Sequence, residues 1–326
     1  MPAINKKIYI AGSGGMVGRA LAARLMNAGY SDLLLPNSQE VDLRRQAEVE
    51  EFFERQTPQI VVIAAATVGG ILANSTFRGK FIYNNISIVT NLVETSRRCG
   101  VEKLLFLGSS CIYPKMCPQP IREDYLLTGP LEETNEPYAI AKIAGVKLCE
   151  NYYREYGSNF YSVMPTNLYG PNDNFNLETS HVIPALIRKF HQAKISSLAS
   201  VSVWGTGAPK REFMFVDDLA DALQFLIENV DACDLDSAGT YHLNAGTGKD
   251  LTIKQLAELV AITVGYEGDI QFDLTKPDGT PQKLLDVTRM KSLGWSYSTE
   301  LKHGLSQTYE WFLANREIAA NERTYR

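Results

Sequence analysis

The sequence is poor in the features that build disulfide frameworks and metal sites. Its five cysteines, Cys99, Cys111, Cys117, Cys149 and Cys233, are odd in number, scattered and without C-x-x-C spacing. That excludes a disulfide scaffold and fits a reducing compartment. The four histidines, His181, His191, His242 and His303, show no H-E-x-x-H or comparable spacing, so no metal site is expected. No basic block stands out. With 32 Lys and Arg against 37 Asp and Glu the net charge is −5, which argues against a nucleic-acid partner. No apolar run is long enough to span a bilayer, so no membrane association is expected. The opening Met1–Lys7 runs straight into a predicted strand and leaves no room for a signal peptide, so the expected location is cytoplasmic.

What the chain does have is alternation. At 326 residues it can bury a full core and form one large or two unequal domains. Short apolar runs at 7–11, 33–35, 60–65, 103–107 and 160–164 read as buried strands. Helical periodicity near 16–28, 44–56, 81–99 and 138–157 falls between them. Repeated βαβ units imply a doubly wound parallel α/β sheet of the Rossmann kind. Beyond Pro165 the regularity fades. The stretch 170–180 is loop-like, and helices are predicted near 182–193, 216–230, 252–265 and 299–315. Strands are expected near 201–204, 240–243 and 270–273. The reading is a dinucleotide-binding domain of 1–170 plus 213–245, and a second, smaller α/β substrate domain of 171–212 plus 246–326.

The run Gly12-Ser-Gly-Gly15-Met16-Val17-Gly18 follows the first strand and opens the first helix. G-x-x-G-x-x-G lets the backbone turn tightly and approach a pyrophosphate, while the helix N-terminus offers its free N–H groups to that anion. The alternative is a plain glycine-rich turn, and the flanking strand and helix favour the nucleotide. An NAD-preferring site places Asp or Glu at the end of the second strand. Here that strand ends Leu35-Pro36-Asn37-Ser38. No carboxylate is expected there, and Asn37 and Ser38 could bond a 2′-phosphate, but no arginine clamps it. The balance points to NADP(H), with NADH use left open.

Of 16 tyrosines only Tyr138 has a lysine four residues on, Lys142, one helical turn away. An ammonium beside a phenol favours the phenolate, so Lys142 is expected to lower the Tyr138 pKa. Such a tyrosine exchanges a proton with a sugar oxygen while a nicotinamide moves hydride. A surface Tyr–Lys helix pair is the alternative. The fourth strand ends Leu107-Gly108-Ser109-Ser110-Cys111, where a doubly wound sheet collects its chemistry, so Ser109 is placed to bond a substrate carbonyl. Cys111 reads either as a small buried apolar residue or as a thiolate base on a C–H beside a ketone. His181 opens a predicted helix. It is either a polar first-turn residue behind a Ser180 cap or a catalytic acid.

Several longer runs carry a resemblance. Ser109–Lys115, Asn135–Gly145, Met164–Pro171 and Ser180–Ala185 resemble the GDP-L-fucose synthases, 3,5-epimerase/4-reductases of the extended short-chain dehydrogenase/reductase superfamily. Val68–Gly70, Trp204–Phe213, Val216–Asp218 and Lys276–Pro281 extend the likeness across roughly 6–315. The resemblance implies GDP-4-keto-6-deoxy-D-mannose as substrate, NADPH as reductant and a homodimer joined through the helices near 81–99 and 138–157. It implies Cys111 as base, His181 as acid, Ser109 and Tyr138 at the C4 oxygen, and Lys142 on the nicotinamide ribose. Pro165, Thr166, Asn167 and Leu168 would line the nicotinamide side with His181. Lys189, Trp204, Arg211 and Asp278 would hold the GDP part. Gly14, Ser38 and Lys189 stand where relatives often carry arginine, which leaves NADH use open and makes one phosphate contact a point charge. A GDP-linked heptose or colitose precursor is the nearest alternative substrate. A 4,6-dehydratase would carry Asp-Glu where this chain has Ser110-Cys111. A 4-epimerase needs no Cys/His pair, and a non-catalytic nucleotide sensor would not need Tyr138 and Lys142 intact.

Overall fold

The computed structural model describes residues 3–276 and 278–316. In chain order the elements begin with β1 (Ile8–Ala11), α1 (Met16–Asn27), β2 (Leu33–Leu34) and α2 (Gln46–Gln56). Next come β3 (Ile60–Ile63), α3 (Ile71–Thr76), α4 (Arg78–Arg98), β4 (Lys103–Leu107), α5 (Glu136–Tyr156) and β5 (Phe160–Pro165). The later part runs β6 (Asn167–Tyr169), α6 (Val182–Ile195), β7 (Ser200–Trp204), β8 (Lys210–Phe215), α7 (Val216–Asn229) and α8 (Ala232–Ser237). It ends with β9 (His242–Ala245), β10 (Asp250–Thr252), α9 (Ile253–Val264), β11 (Asp269–Asp273), β12 (Gln282–Lys283), α10 (Thr288–Ser292) and α11 (Leu301–Ala314).

Six parallel strands make the main sheet, ordered β2-β1-β3-β4-β5-β9. Strands β1, β3, β4 and β5 are buried along their whole length, as parallel strands covered on both faces must be. One face packs Ile8, Ile10, Val62, Leu105 and Val163 against α1 and α7. The other packs Tyr9, Val61, Leu104 and Phe106 against α2, α4 and α5. The chain order reverses between β1 and β3, so the carboxyl ends of the strands open a crevice there. Buried Lys103 is tied down at the opposite end. Its ammonium donates to the carbonyls of Ile227 (2.9 Å) and Val230 (2.8 Å) and pairs with Asp231 at 2.8 Å.

A third cluster, with Phe175, Phe190, Val203, Leu256 and Phe312, joins α6, α9 and α11 to the parallel pair β7–β11. This lobe includes a small sheet, β10-β8-β12 with β6 on β8, which carries the chain across the crevice. Sequence periodicity missed β6, β8, β10 and β12. At two to six residues they leave too little alternation to read. The strand expected at 240–243 lies at 242–245 and closes the main sheet.

Candidate active site

The glycine loop forms as its spacing requires. Gly12 has φ +90°, and a Cβ there would lie 2.6 Å from the Ala65 nitrogen on the loop after β3. Gly15 donates to the Gly12 carbonyl at 3.0 Å and stands at the start of α1 with no side-chain cap. A Cβ at Gly18 would meet the backbone of Gly12 and Ser13. The first N–H groups of α1, at Met16 and Val17, have no side-chain cap, which suits the pyrophosphate of a dinucleotide. The loop after β3 that borders it is anchored by α4. Asn85 accepts from Thr67 N–H at 2.9 Å and donates to the Thr67 carbonyl at 3.0 Å.

The adenosine end differs from the sequence expectation. Asn37 and Ser38 are exposed beyond β2 as expected. The Asn37 side-chain oxygen is already taken by the N–H groups of Gln39 (2.8 Å) and Glu40 (3.3 Å). The Glu40 carboxylate, three residues past Asn37, folds back onto Asn37 N–H at 2.7 Å. A carboxylate does stand at this site, brought there by an Asx turn that a linear reading does not show.

At the end of β4, Leu107 presents its carbonyl to the Lys142 ammonium at 2.6 Å, and Gly108 N–H donates to Val163 at 2.9 Å. Ser109 then caps a single 3₁₀ turn, its Oγ accepting from Cys111 N–H at 3.3 Å. Tyr138 and Lys142 lie on α5, which packs its Phe106-facing side on β4. Lys142 Nζ sits 4.7 Å from the Phe106 ring centroid and 5.7 Å from that of Tyr138. Burial pulls the Lys142 ammonium down to about 8. Burial also pushes the Tyr138 phenol well above its ordinary range, with the neighbouring Cys111 adding to the rise. The expectation that Lys142 depresses this phenol is therefore corrected. The ammonium lies over the ring face and on a carbonyl, and desolvation governs the hydroxyl.

Cys111 is buried, and burial raises its thiol pKa against the opposing pull of Lys283, Ser109 and Lys142. It lines a small, partly open pocket of about 40 Å³ with Glu132, Asn135 and Lys283. His181 is itself the N-cap residue of α6, so the expected Ser180 cap does not form, and the buried Ser180 Oγ has no partner. His181 is exposed, and desolvation by the surrounding protein, then Lys283, holds its pKa below the ordinary value. Gly70 N–H donates to Thr179 at 3.0 Å, so the Val68–Gly70 loop braces the segment leading to His181.

Pro165 ends β5. Thr166 N–H donates to the Ala245 carbonyl at 2.9 Å, while the Thr166 hydroxyl and Asn167 amide reach the Glu212 carbonyl at 3.3 and 2.8 Å. Leu168 packs on the main core. Across the crevice, Trp204 ends β7 with 60% of its surface exposed. The ammonium groups of Lys189 and Lys276 lie 5.8 and 5.4 Å from its ring centroid. Both carboxylate oxygens of Asp278 are engaged by Thr206, at 2.9 and 2.7 Å, which pins the two loops together. Arg211 bonds the Lys210 carbonyl at 2.7 Å, and burial lowers its pKa. Pro277, inside the Lys276–Pro281 run, lies outside the described residues.

Sequence reading missed Lys283 and Glu212. Lys283, on β12, pairs in register with Arg211 on β8 and faces Cys111. Fully buried Glu212 accepts from Thr247 N–H (2.6 Å), Gly248 N–H (2.7 Å) and Leu285 N–H (2.9 Å), joining three segments behind the site. Lys283 lies outside the quoted runs, and Glu212 lies within the Trp204–Phe213 run with no role read from it. No group of three His, Cys, Asp or Glu among the described residues could hold a metal ion.

A glycine-loop dinucleotide cradle, a strand-end serine and a Tyr–Lys helix pair together define an enzyme class. The chain belongs to the NAD dependent epimerase/dehydratase family, which matches residues 8–244. Within that family it is similar to GDP-L-fucose synthase 1 of Arabidopsis thaliana, 53% identical over 311 residues covering 95% of this chain and 94% of the relative. A GDP-L-fucose synthetase from Naegleria fowleri, solved bound to NADP, superposes with TM-score 0.88 at 27% identity, covering 97% of each chain. A GDP-mannoheptose C4 reductase from Campylobacter jejuni, solved with NADP bound, gives TM-score 0.87 at 38% identity over 95% of this chain and 99% of that one.

Proposed function

We propose that this chain converts GDP-4-keto-6-deoxy-D-mannose to GDP-L-fucose, inverting C3 and C5 and then reducing the C4 ketone with NADPH. The observation that carries the reading is a buried thiol, Cys111, set against the Ser109–Tyr138–Lys142 group at one strand end, in a chain 53% identical to a GDP-L-fucose synthase. The open N-terminus of α1 and the Gly12–Gly18 loop would hold the cofactor pyrophosphate, with Asn37 and Ser38 at the adenosine end.

The C4 ketone acidifies the C–H bonds at C3 and C5. Ser109 and Tyr138 hold the C4 oxygen. Cys111, as thiolate, takes the proton from one carbon, the electron pair moves onto the ketone oxygen, and His181 returns a proton to the opposite face. A lowered pKa makes His181 a better donor once it is charged. NADPH, when bound, would supply the hydride that C4 needs. Tyr138 then gives its phenolic proton to the new alkoxide, and the raised phenol pKa keeps that proton in place until it is needed. Lys142 would orient the nicotinamide ribose. Lys189, Trp204, Arg211 and Asp278 hold the GDP group, the first and third as cations near the diphosphate and the indole as a stacking face.

In this reading the segments 1–170 and 213–245 carry the dinucleotide, and 171–212 with 246–326 the GDP-sugar. The chain works in the cytoplasm as a homodimer through α4 and α5, whose exposed Tyr83, Ile140 and Tyr156 supply apolar surface. No helix among the described residues is long and apolar enough to cross a membrane. The 38% likeness to a heptose C4 reductase supports a second reading, a GDP-linked 4-keto heptose as substrate. The test is NADPH oxidation by purified protein with each keto sugar. Faster turnover of the 6-deoxy hexose is expected. Turnover of the heptose alone would transfer the function to the second reading, and repetition with NADH measures cofactor preference.

A further inference from the structure

Lys283 stands out because its ammonium lies at the Cys111 pocket without a hydrogen-bond or ion-pair partner among the described residues. The residue is partly buried. Strand β12 pairs in parallel register with β8, placing Lys283 directly beside Arg211. Like charges side by side on paired strands repel, and burial together with Arg211 lowers the Lys283 pKa, while Glu132 and the Cys111 and Cys117 thiols act in the other direction. The placement is rigid. Glu212 grips Leu285 N–H at 2.9 Å, two residues on, and Gln119 accepts from Leu284 N–H at 2.9 Å. Ionisable groups perturbed by burial and by specific charges cluster at functional sites.

We propose that Lys283 is a positioning residue for the epimerase half of the reaction, the cation that lets Cys111 ionise and act as base. The inference rests on the function proposed above and extends it to a residue outside the Ser-Tyr-Lys and Cys/His sets. The groups facing Cys111 come from four elements. Ser109 bonds its N–H from the 3₁₀ turn, and Lys142 and Tyr138 face it from α5. Lys283 faces it from β12, while Glu132 and Asn135 close the cavity from the loop before α5. Lys142 is bound to the Leu107 carbonyl at 2.6 Å. Lys283 makes no such bond, and although Lys115 also lines the pocket, Lys283 is the one of the two that acts on the Cys111 thiol. No atoms are exchanged: Lys283 keeps its proton, and Cys111 loses its own to solvent before taking one from C3 or C5. Lys283 also opposes a second positive charge on His181, so the same ammonium makes the thiol the base of the pair.

The test is the pH dependence of Cys111 alkylation by iodoacetamide, read on the Cys111 peptide by mass spectrometry. It is run on the full chain without substrate, for the unmodified protein and for Lys283→Met and Lys283→Gln. The inference predicts that both neutral variants raise the apparent thiol pKa by about one unit or more. The rate of Cys111 modification at neutral pH then falls about tenfold, with the reactivity of exposed Cys99 and Cys233 unchanged. Melting curves establish that each variant is folded, and either folded variant suffices. An unchanged Cys111 profile in a folded neutral variant overturns the inference. Because no sugar is present, that outcome is separate from failure of the proposed reaction, which appears as absent NADPH oxidation in the unmodified protein.

Discussion

Tyr138 shows how a single residue was both legible and misread. The Y-x-x-x-K spacing and its place after a strand-end serine were enough to find it. Its electrostatics were not, because the direction of a pKa shift depends on burial that no linear pattern reports. The raised phenol fits the reductive direction, in which the group must begin protonated. Replacing Tyr138 with Phe should lower kcat for NADPH oxidation about 10²- to 10⁴-fold. NADPH affinity should stay within a few-fold, read by cofactor fluorescence titration. Cys111→Ser should likewise cut turnover at least about 10²-fold without weakening cofactor binding, since the hydroxyl is a far weaker acid than the thiol. Equal loss of cofactor binding in either variant would mean that the substitution had damaged the cradle rather than the chemistry. Glu40 and Lys283 escaped a sequence reading for one shared reason. Each reaches its site through a local fold, an Asx turn in one case and a two-residue strand in the other.

At the scale of elements, the strands of the main sheet were readable because apolar runs buried on both faces leave little else to read. The glycine loop was readable because its chemistry is carried by spacing. Gly18→Ala places a methyl group against the Gly12 and Ser13 backbone. It should weaken NADPH binding at least about tenfold and lower the melting temperature, since the helix must shift where backbone approaches backbone. The crossing sheet of β6, β8, β10 and β12 was not readable, because its order comes from Glu212 rather than from side-chain alternation. Glu212→Ala leaves three backbone N–H groups without their acceptor and should cost about 3 kcal/mol of stability in chemical denaturation. The start of α6 was placed at its observed residue, yet the cap offered there as one alternative was Ser180, whereas the N-cap is His181. Cap identity depends on backbone angles that sequence leaves open.

For the molecule as a whole, the main sheet and its flanking helices were expected from alternation. The way β9 returns to close that sheet after the chain has built most of a second lobe shows only in the folded structure. One global consequence is pH sensitivity. His242, on β9, is buried with its Nε2 unpartnered, and burial pulls its pKa from 6.5 down to about 4. Between those values the unfolded chain binds the proton and the folded chain does not. Stability should therefore fall as pH drops from about 6.5 towards 4, by up to about 3 kcal/mol. Denaturation midpoints of His242→Gln, compared with the unmodified chain over that range, should show a flatter profile. Identical profiles would remove His242 as the cause.

The central claim is that one cleft performs both proton transfer at carbon and hydride reduction. The direct measurement is NMR of the product formed from GDP-4-keto-6-deoxy-D-mannose and NADPH in deuterated water. The account predicts GDP-L-fucose carrying solvent deuterium at both C3 and C5. A reduced 6-deoxy sugar with its original configuration and no deuterium at those carbons would contradict it.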